Sequence, residues 1–341
     1  MQRFSFKQIL LSCLVVLLGL SQAQDTTPVK FTLDWAFQGP QAFFLHAVDA
    51  GYFAEEGIDI TMDRGFGSSG TVSQIAGGAY DIGFADINSM IEFNANNPEQ
   101  ALTAVAVVYN FPPFAIFTLA ESGIDSPAAL PGNTLGAPVF DAAFRLFPLF
   151  AAANGLEPDS VNWLAMDPAL REPSLIRGEV EGISGFYFTA ILNLEAAGVS
   201  RDDVNAFLFS DSGVDVYGNA IMAPTSYIEE NPEVIEGILR ALTRGWQDVL
   251  ANPEAGIMAV QNADPLIDPA IELERLQLAI DTNMITPEVM ELGFGAVDEA
   301  RLARSIEQVV EVFDLPMTPT VDEVFNGSFL PPLEMRLPPS E

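Results

Sequence analysis

Cysteine is nearly absent from this chain. Cys13 is the one cysteine in 341 residues, and it stands inside the apolar N-terminal run. A disulfide framework, a thiolate metal site and a cysteine nucleophile are therefore excluded for everything downstream. Histidine is as scarce, with His46 alone. It lies within an amphipathic stretch and is read as structural. The sequence has no Gly-x-Ser-x-Gly turn to go with it, so no Ser-His-Asp arrangement can be read. A calcium loop of the Asp-x-Asp-x-Asp-Gly kind is missing too. Positive charge is the third scarcity, because 14 Lys and Arg face 47 Asp and Glu. That balance repels nucleic acid and anionic membranes, so neither is expected as a partner. Acidic residues are so frequent that no carboxylate pair can be singled out as catalytic.

Long apolar runs are rare. The one that stands out is Ile9 to Leu20, broken by Ser12, Cys13 and Gly19. Arg3 and Lys7 precede it, and Ser21-Gln22-Ala23 follows with small residues where a signal peptidase reads. Residues 1–23 are therefore expected to be a cleavable signal peptide, with cleavage before Gln24. The run falls short of the roughly 20 apolar residues that a membrane span needs. Leu11-Ser12-Cys13 could form a lipoprotein box, but few apolar residues precede Cys13 and many follow it, so lipid anchoring is not expected. Cleavage leaves about 318 residues, with 12 basic and 47 acidic ones and a net charge of −35. Lys30 is then the sole lysine. The expected product is a periplasmic monomer, long enough for two medium domains.

Beyond the leader, strands and helices alternate. Val29–Leu33 reads as a strand, and Gln41–Glu55 as one amphipathic helix with Phe44, Val48 and Tyr52 on a stripe. Ile58–Met62 is a strand, and Gly67–Gly70 opens a helix that ends near Gly77-Gly78. Asp81–Ala85 is a strand, Ile87–Phe93 a helix and Leu102–Tyr109 a strand. The alternation then restarts with strand Thr134–Pro138, helix Asp141–Ala153, strand Val161–Met166, helix Pro168–Arg177, strand Gly182–Gly185, helix Phe188–Ala197 and strand Ala206–Ser210. From Pro232 the pattern is helical, over 232–250, 255–261, 270–282 and 299–313. A proline-rich tail from Phe329 is expected to wrap the surface. Such alternation predicts an α/β protein with parallel sheets covered on both faces.

One internal echo stands out. Gly78-Ala79-Tyr80-Asp81-Ile82-Gly83-Phe84-Ala85-Asp86 aligns with Gly178-Glu179-Val180-Glu181-Gly182-Ile183-Ser184-Gly185-Phe186, one hundred residues later. Each is a helix ending in glycine, an acidic residue, a short strand and a new helix. Ligands in open α/β sheets sit at the carboxyl ends of strands. Two such units suggest two lobes facing one cleft.

Several stretches resemble a known family. Asp34-Trp35, Ala50-Gly51-Tyr52-Phe53, Glu56–Ile60, Gly77–Phe84, Leu135–Pro138 and Glu230–Glu233 are similar, in order and spacing, to the solute-binding proteins for thiamine-pyrimidine precursors, sulfonates and nitrate. The resemblance implies a two-lobed type II periplasmic-binding-protein fold with two hinge crossings and a ligand cleft. The crossings are expected near Pro112–Ala115 and Tyr217–Ala220. Residues 24–114 and 218–341 would then form lobe 1, and 115–217 lobe 2. It also implies a small-molecule ligand, no cofactor, and a partner permease of an ABC importer with its cytoplasmic ATPase. A eukaryotic relative makes the thiamine pyrimidine from its own histidine and pyridoxal phosphate. That chemistry needs a Schiff-base lysine and a cysteine-rich iron motif, and this chain has only Lys30 and no cysteine past the leader. A periplasmic sensory module would share every feature read so far.

Candidate ligand contacts follow from strand ends. Asp34, Trp35, Phe37 and Gln38 trail the first strand, where Trp35 is either a platform or a core aromatic. Ser68, Ser69 and Gly70 open a helix whose N–H groups could meet an acceptor, or form an ordinary cap. Asp86 and Asn88 end the first echoed strand, and Asp86 could equally cap the next helix. Phe140, Asp141, Phe186, Tyr187 and Tyr217 take corresponding places in lobe 2 and beside the second crossing. Arg145 could pair with Asp141. An oxyanion would want arginines, and only Arg64, Arg145 and Arg171 are near these loops. Aromatic rings and carboxylates favour a nitrogen-bearing heterocycle such as an aminopyrimidine, with sulfonate, taurine or nitrate as the alternative.

Overall fold

The computed structural model describes residues 26–339. The leader segment expected at 1–23 lies outside them. Ten strands form two five-stranded sheets. The first holds β1 (Thr27–Thr32), β2 (Ile58–Asp63), β3 (Ile82–Asp86), β4 (Leu102–Val107) and β10 (Asn219–Pro224), in the order β2-β1-β3-β10-β4. The second holds β5 (Phe114–Leu119), β6 (Thr134–Ala137), β7 (Asn162–Ala165), β8 (Gly182–Phe186) and β9 (Val204–Leu208), in the order β7-β6-β8-β5-β9. The two orders are the same pattern repeated, as the echo suggested.

The sheets are mixed, not wholly parallel. β1 runs parallel to β2 and β3, and β6 to β7 and β8. β10 is antiparallel to β3 and β4, and β5 to β8 and β9. These two strands are where the sequence reading placed the crossings. Parallel pairing needs a long crossover connection. β5 and β10 instead enter straight from the other sheet, through residues 108–113 and 209–218, and run against their neighbours. Both are apolar and buried along most of their length.

The echo extends to individual hydrogen bonds. β3 and β8 start and end one hundred residues apart. Gly78 and Gly178 both have positive φ, 74° and 66°, where glycine carries no steric penalty. The Asp81 carboxylate accepts Lys30 N–H and the Glu181 carboxylate accepts Thr134 N–H, each at 2.8 Å. Ile87 N–H and Tyr187 N–H, opening the next helix, donate to Gly218 O and Pro113 O in the two crossings. Chance similarity would not reproduce these bonds.

Two helices expected to be continuous are broken. The first stretch forms Ala42–Asp49 and Tyr52–Glu55, separated at Gly51, whose φ of 77° ends a helix. The other forms Ala142–Arg145 and Phe147–Ala153, the second opening with Pro148, which lacks an N–H to continue the first. The C-terminal helices fall at Pro232–Ala251, Pro253–Ala263, Pro269–Ala279 and Glu299–Phe313. Ile235, Ile238, Leu242 and Trp246 of the first belong to the same core as the inner faces of β1 and β3, reached across the Ala42–Asp49 helix. The tail is pinned by the buried Arg336 guanidinium, which donates to Pro331 O, Leu292 O and Phe294 O. His46 sits away from the cleft, 3.3 Å from Asp248. Among the described residues no helix is long and apolar enough to cross a membrane, and no group of His, Cys, Asp and Glu is arranged to hold a metal ion.

Candidate functional site

A cavity lies between the two sheets, at the carboxyl ends of β1, β6 and β8. Asp34, Trp35, Gln41, Gly67 and Ser68 line it from the first-sheet half; Asp141, Ala142, Arg171, Phe186, Phe188 and Thr189 line it from the second. The atom-free space measures about 350 Å³, mouth included, and the interior is narrow, with about 20 Å³ of room for solvent. That is on the order of one water.

Asp34 is the deepest polar group. β1 delivers it into the interior, where it is 2% exposed. Its Oδ2 accepts Asn219 Nδ2 at 2.8 Å and its Oδ1 accepts Gln41 Nε2 at 3.3 Å. Burial outweighs both bonds and raises its pKa to about 7. Each carboxylate oxygen retains a lone pair for a further donor. Gln41 Oε1, Ser68 Oγ and Asn219 Oδ1 are buried without any partner. Buried polar atoms are ordinarily paired, so this cluster of orphans around Asp34 calls for a ligand or water to satisfy it.

Opposite lies a charged pair. Asp141 caps its helix, with Oδ1 accepting Ala143 N–H at 2.7 Å, and its Oδ2 meets Arg171 Nη1 at 3.1 Å. Burial raises the Asp141 pKa, and the Arg171 charge opposes that shift. Arg171 is 1% exposed and also binds Glu172 Oε1 through Nε and Nη2, at 3.1 and 2.6 Å. Its guanidinium carbon stands 5.6 Å over the Trp35 ring, linking the two halves. Gly185 makes the room, since a Cβ there would lie 2.7 Å from Arg171 Nη1. The cation is thus held by two carboxylates, and the unpaired side-chain atoms of the wall, Gln41 Oε1 and Ser68 Oγ, can both accept, the Ser68 hydroxyl also being able to donate.

Of the residues read from sequence, Asp34, Trp35, Ser68, Asp141 and Phe186 line the cavity. Gln38 stands one step behind, where its Oε1 accepts Thr189 Oγ1–H at 3.1 Å. Ser69, Gly70 and Phe140 form the lip: Ser69 N–H and Oγ–H both donate to Phe140 O, at 3.3 and 3.2 Å. Phe37 packs on the core. Asp86 caps the Ile87–Asn96 helix through Ser89 N–H, and Asn88 bonds Asp86 and Tyr217 O. Tyr187 lines a separate groove with Phe111 and Pro113. Tyr217 donates to Glu288 beside the crossing. Those five stand outside the cavity wall. Arg145 pairs not with Asp141 but with Glu92, at 2.6 Å; Arg64 lies over Phe66. Gln41, Phe188, Thr189 and Asn219 escaped the sequence reading. Phe188 and Thr189 sit just past the echoed strand, so one more residue or two of the echo would have found them. Asn219 carried no such signal.

Comparison with known proteins agrees with this architecture. The family profile described as NMT1/THI5 like matches residues 40–256, more than half of the chain. A formylaminopyrimidine-binding protein of Halalkalibacterium halodurans is 27% identical over 326 residues, covering 91% of this chain and 93% of that protein. The riboflavin-binding protein RibY of Chloroflexus aurantiacus is 26% identical over 292 residues, covering 84% and 81%. Among solved structures, the alkanesulfonate-binding protein SsuA of Xanthomonas axonopodis pv. citri, bound to MOPS, superposes with a TM-score of 0.68 at 14% identity, covering 89% of this chain and 99% of that one. That likeness is one of fold, the two-lobed periplasmic-binding-protein fold.

Proposed function

The chain belongs to the NMT1/THI5 like family, and from that premise we propose that it captures a small aminopyrimidine, of the formylaminopyrimidine kind, for an ABC importer. The observation that carries this reading is the acceptor-rich wall. Asp34, Gln41 Oε1 and Ser68 Oγ face a space flanked by Trp35, Phe186 and Phe188. An amino-substituted pyrimidine offers a flat ring to stack and N–H groups to donate. The space between the halves is about 350 Å³ with its mouth included and narrows to room for about one water, so a ring would be taken up only with the halves apart, a single ring asking for less opening than a flavin.

Sulfonate or nitrate fits less well. An oxyanion would have to draw Arg171 away from Asp141 and Glu172 while facing the Asp34 carboxyl, which is unfavourable in a desolvated site. The ligand would enter with the halves apart and be enclosed as they close, the closed form being the one a permease meets. The working form would be a periplasmic monomer freed of residues 1–23. Binding would be its whole task, so the ligand would be recovered unchanged after long incubation.

A thermal-shift panel tests the ligand. Formylaminopyrimidine at a hundredfold excess over its Kd is expected to stabilise the protein by roughly 3 kcal/mol, with taurine, nitrate and riboflavin giving no shift. A shift with taurine or nitrate and none with formylaminopyrimidine would overturn the assignment.

A further inference from the structure

A buried ion pair stands behind the cavity without lining it. Glu272 and Arg275, 5% and 2% exposed, lie one turn apart on the Pro269–Ala279 helix. Arg275 Nε donates to Glu272 Oε2 at 3.0 Å. The pair then reaches in opposite directions. Glu272 Oε2 also accepts the backbone N–H of Gly39 at 2.7 Å, in the turn that carries Gln38 and Gln41. Arg275 Nη1 donates to Phe188 O at 3.1 Å and Thr189 O at 2.9 Å, and Nη2 to Asn193 Oδ1 at 3.2 Å. Gly39 belongs to the first-sheet half; Phe188, Thr189 and Asn193 belong to the second.

The helix itself is fixed to the first half. Leu276 and Ala279 are part of its core, and a Cβ on Gly39 would lie 2.1 Å from Glu272 O. Towards the second half it packs Ile271 and Leu278, shares a core with Phe188, and takes a surface bond from Arg201 to Glu274 at 2.8 Å. When the halves separate, Arg275 must leave its three acceptors there while Glu272 stays with Gly39. The full bonding set of a buried cation therefore exists only in the closed arrangement.

We propose that Glu272 and Arg275 are a positioning pair that latches the closed arrangement, so that ligand affinity is set in part by a helix that does not touch the ligand. The idea rests on closure as the mode of capture but not on which molecule is captured. A ligand that binds the closed form is held with an apparent Kd equal to the intrinsic one divided by the closed fraction. Weakening the latch lowers that fraction and speeds ligand release.

The test is the double variant Glu272→Gln/Arg275→Met, which removes both charges at nearly constant volume and leaves no unpaired buried ion. Dyes on Glu254→Cys and Asp159→Cys, exposed positions on the two halves, report closure by energy transfer in protein freed of residues 1–23, where no other cysteine competes for label. Without ligand, the closed fraction is expected to fall about threefold, with Arg244→Met, which breaks a surface pair inside the first half, as the unchanged control. The off-rate of formylaminopyrimidine should rise about threefold while the on-rate stays within about twofold. Asn193→Ala should shift both readouts the same way, less far. A lowered melting temperature with unchanged energy transfer would show the pair to be structural only and overturn the proposal. Should the double variant not fold, Asn193→Ala and Arg275→Lys decide on the same readouts. If the wild type ignores formylaminopyrimidine but the closed fraction still falls, the latch stands and the ligand assignment fails.

Discussion

Asp34 concentrates the chemistry of the site in one carboxyl group. It is ionised in the unfolded chain above about pH 4, whereas burial raises its folded pKa to about 7. Between those values the folded state holds the extra proton, so stability falls as pH rises through the window and levels off above it. Three pH units at about 1.4 kcal/mol each make this roughly 4 kcal/mol. Asp34→Asn should flatten the slope between pH 6 and 7 and leave a slope below it, where Asp86, whose pKa burial raises to about 6, and Asp141, which burial also raises, still titrate. The orphaned Gln41 Oε1 and Asn219 Oδ1 can turn to accept the new amide, so the variant should melt higher than wild type at pH 8. Formylaminopyrimidine affinity should drop 10- to 100-fold, about the worth of a hydrogen bond to a charged group. Melting curves from pH 4 to 8 with titrations at pH 7.5 check both; an undiminished slope between pH 6 and 7 in Asp34→Asn would mean another group carries it. Asp34 was visible in the sequence because it trails an apolar strand. Arg171 was visible only as a possible oxyanion anchor, since nothing in a linear chain says that Asp141 and Glu172 already hold it.

The loop before the Ser68–Ala76 helix meets the other half at Phe140. Gly67 has a φ of 130°, which side-chain-bearing residues rarely adopt, and a Cβ there would lie 2.3 Å from Phe140 O. Gly67→Ala should therefore wedge the lip open as well as strain the turn, at a cost of about 1–3 kcal/mol. Small-angle scattering should show a larger radius of gyration that added ligand no longer reduces, and affinity should fall more than about tenfold. An unchanged radius of gyration on ligand addition in both proteins would refute the role of this lip in closure. Most elements were legible because apolar periodicity reports burial directly. Gly51 and Pro148 were readable helix breakers that the wider stripe overrode. β5 and β10 were hidden because a buried strand and a crossing read alike when both are short and apolar.

Across the whole molecule, the two crossings converge on one arginine. Arg301 Nε donates to Asp215 Oδ1 at 2.9 Å, Nη1 to Asn110 Oδ1 and Glu288 Oε2 at 3.2 Å each, and Nη2 to Val216 O at 3.4 Å. Its guanidinium carbon lies 4.8 Å over Phe111 and 4.2 Å over Tyr217. Residues from both crossings and the C-terminal segment thus share one cation at the place where the halves are joined. Arg301→Met should cost about 3 kcal/mol by leaving the part-buried Glu288 carboxylate without its counter-ion, although Tyr217 and Asn110 still donate to it. In a chain of this size that corresponds to several degrees of melting temperature. A loss below about 0.5 kcal/mol would mean that the arginine is a surface pair in effect.

The sequence alone determined the compartment expectation, the alternating elements, the repeated strand–helix unit and, through scarce cysteine, histidine and lysine, which chemistries are shut out. These depend on composition and short-range pattern, which a single chain displays. Which acceptors are left unpaired, that Arg171 is already neutralised, and that Arg275 and Arg301 bind both halves were decided only by the tertiary structure. Each joins residues far apart in the chain, and the pairing of a buried charge is a property of its surroundings, which come into being when the two halves meet.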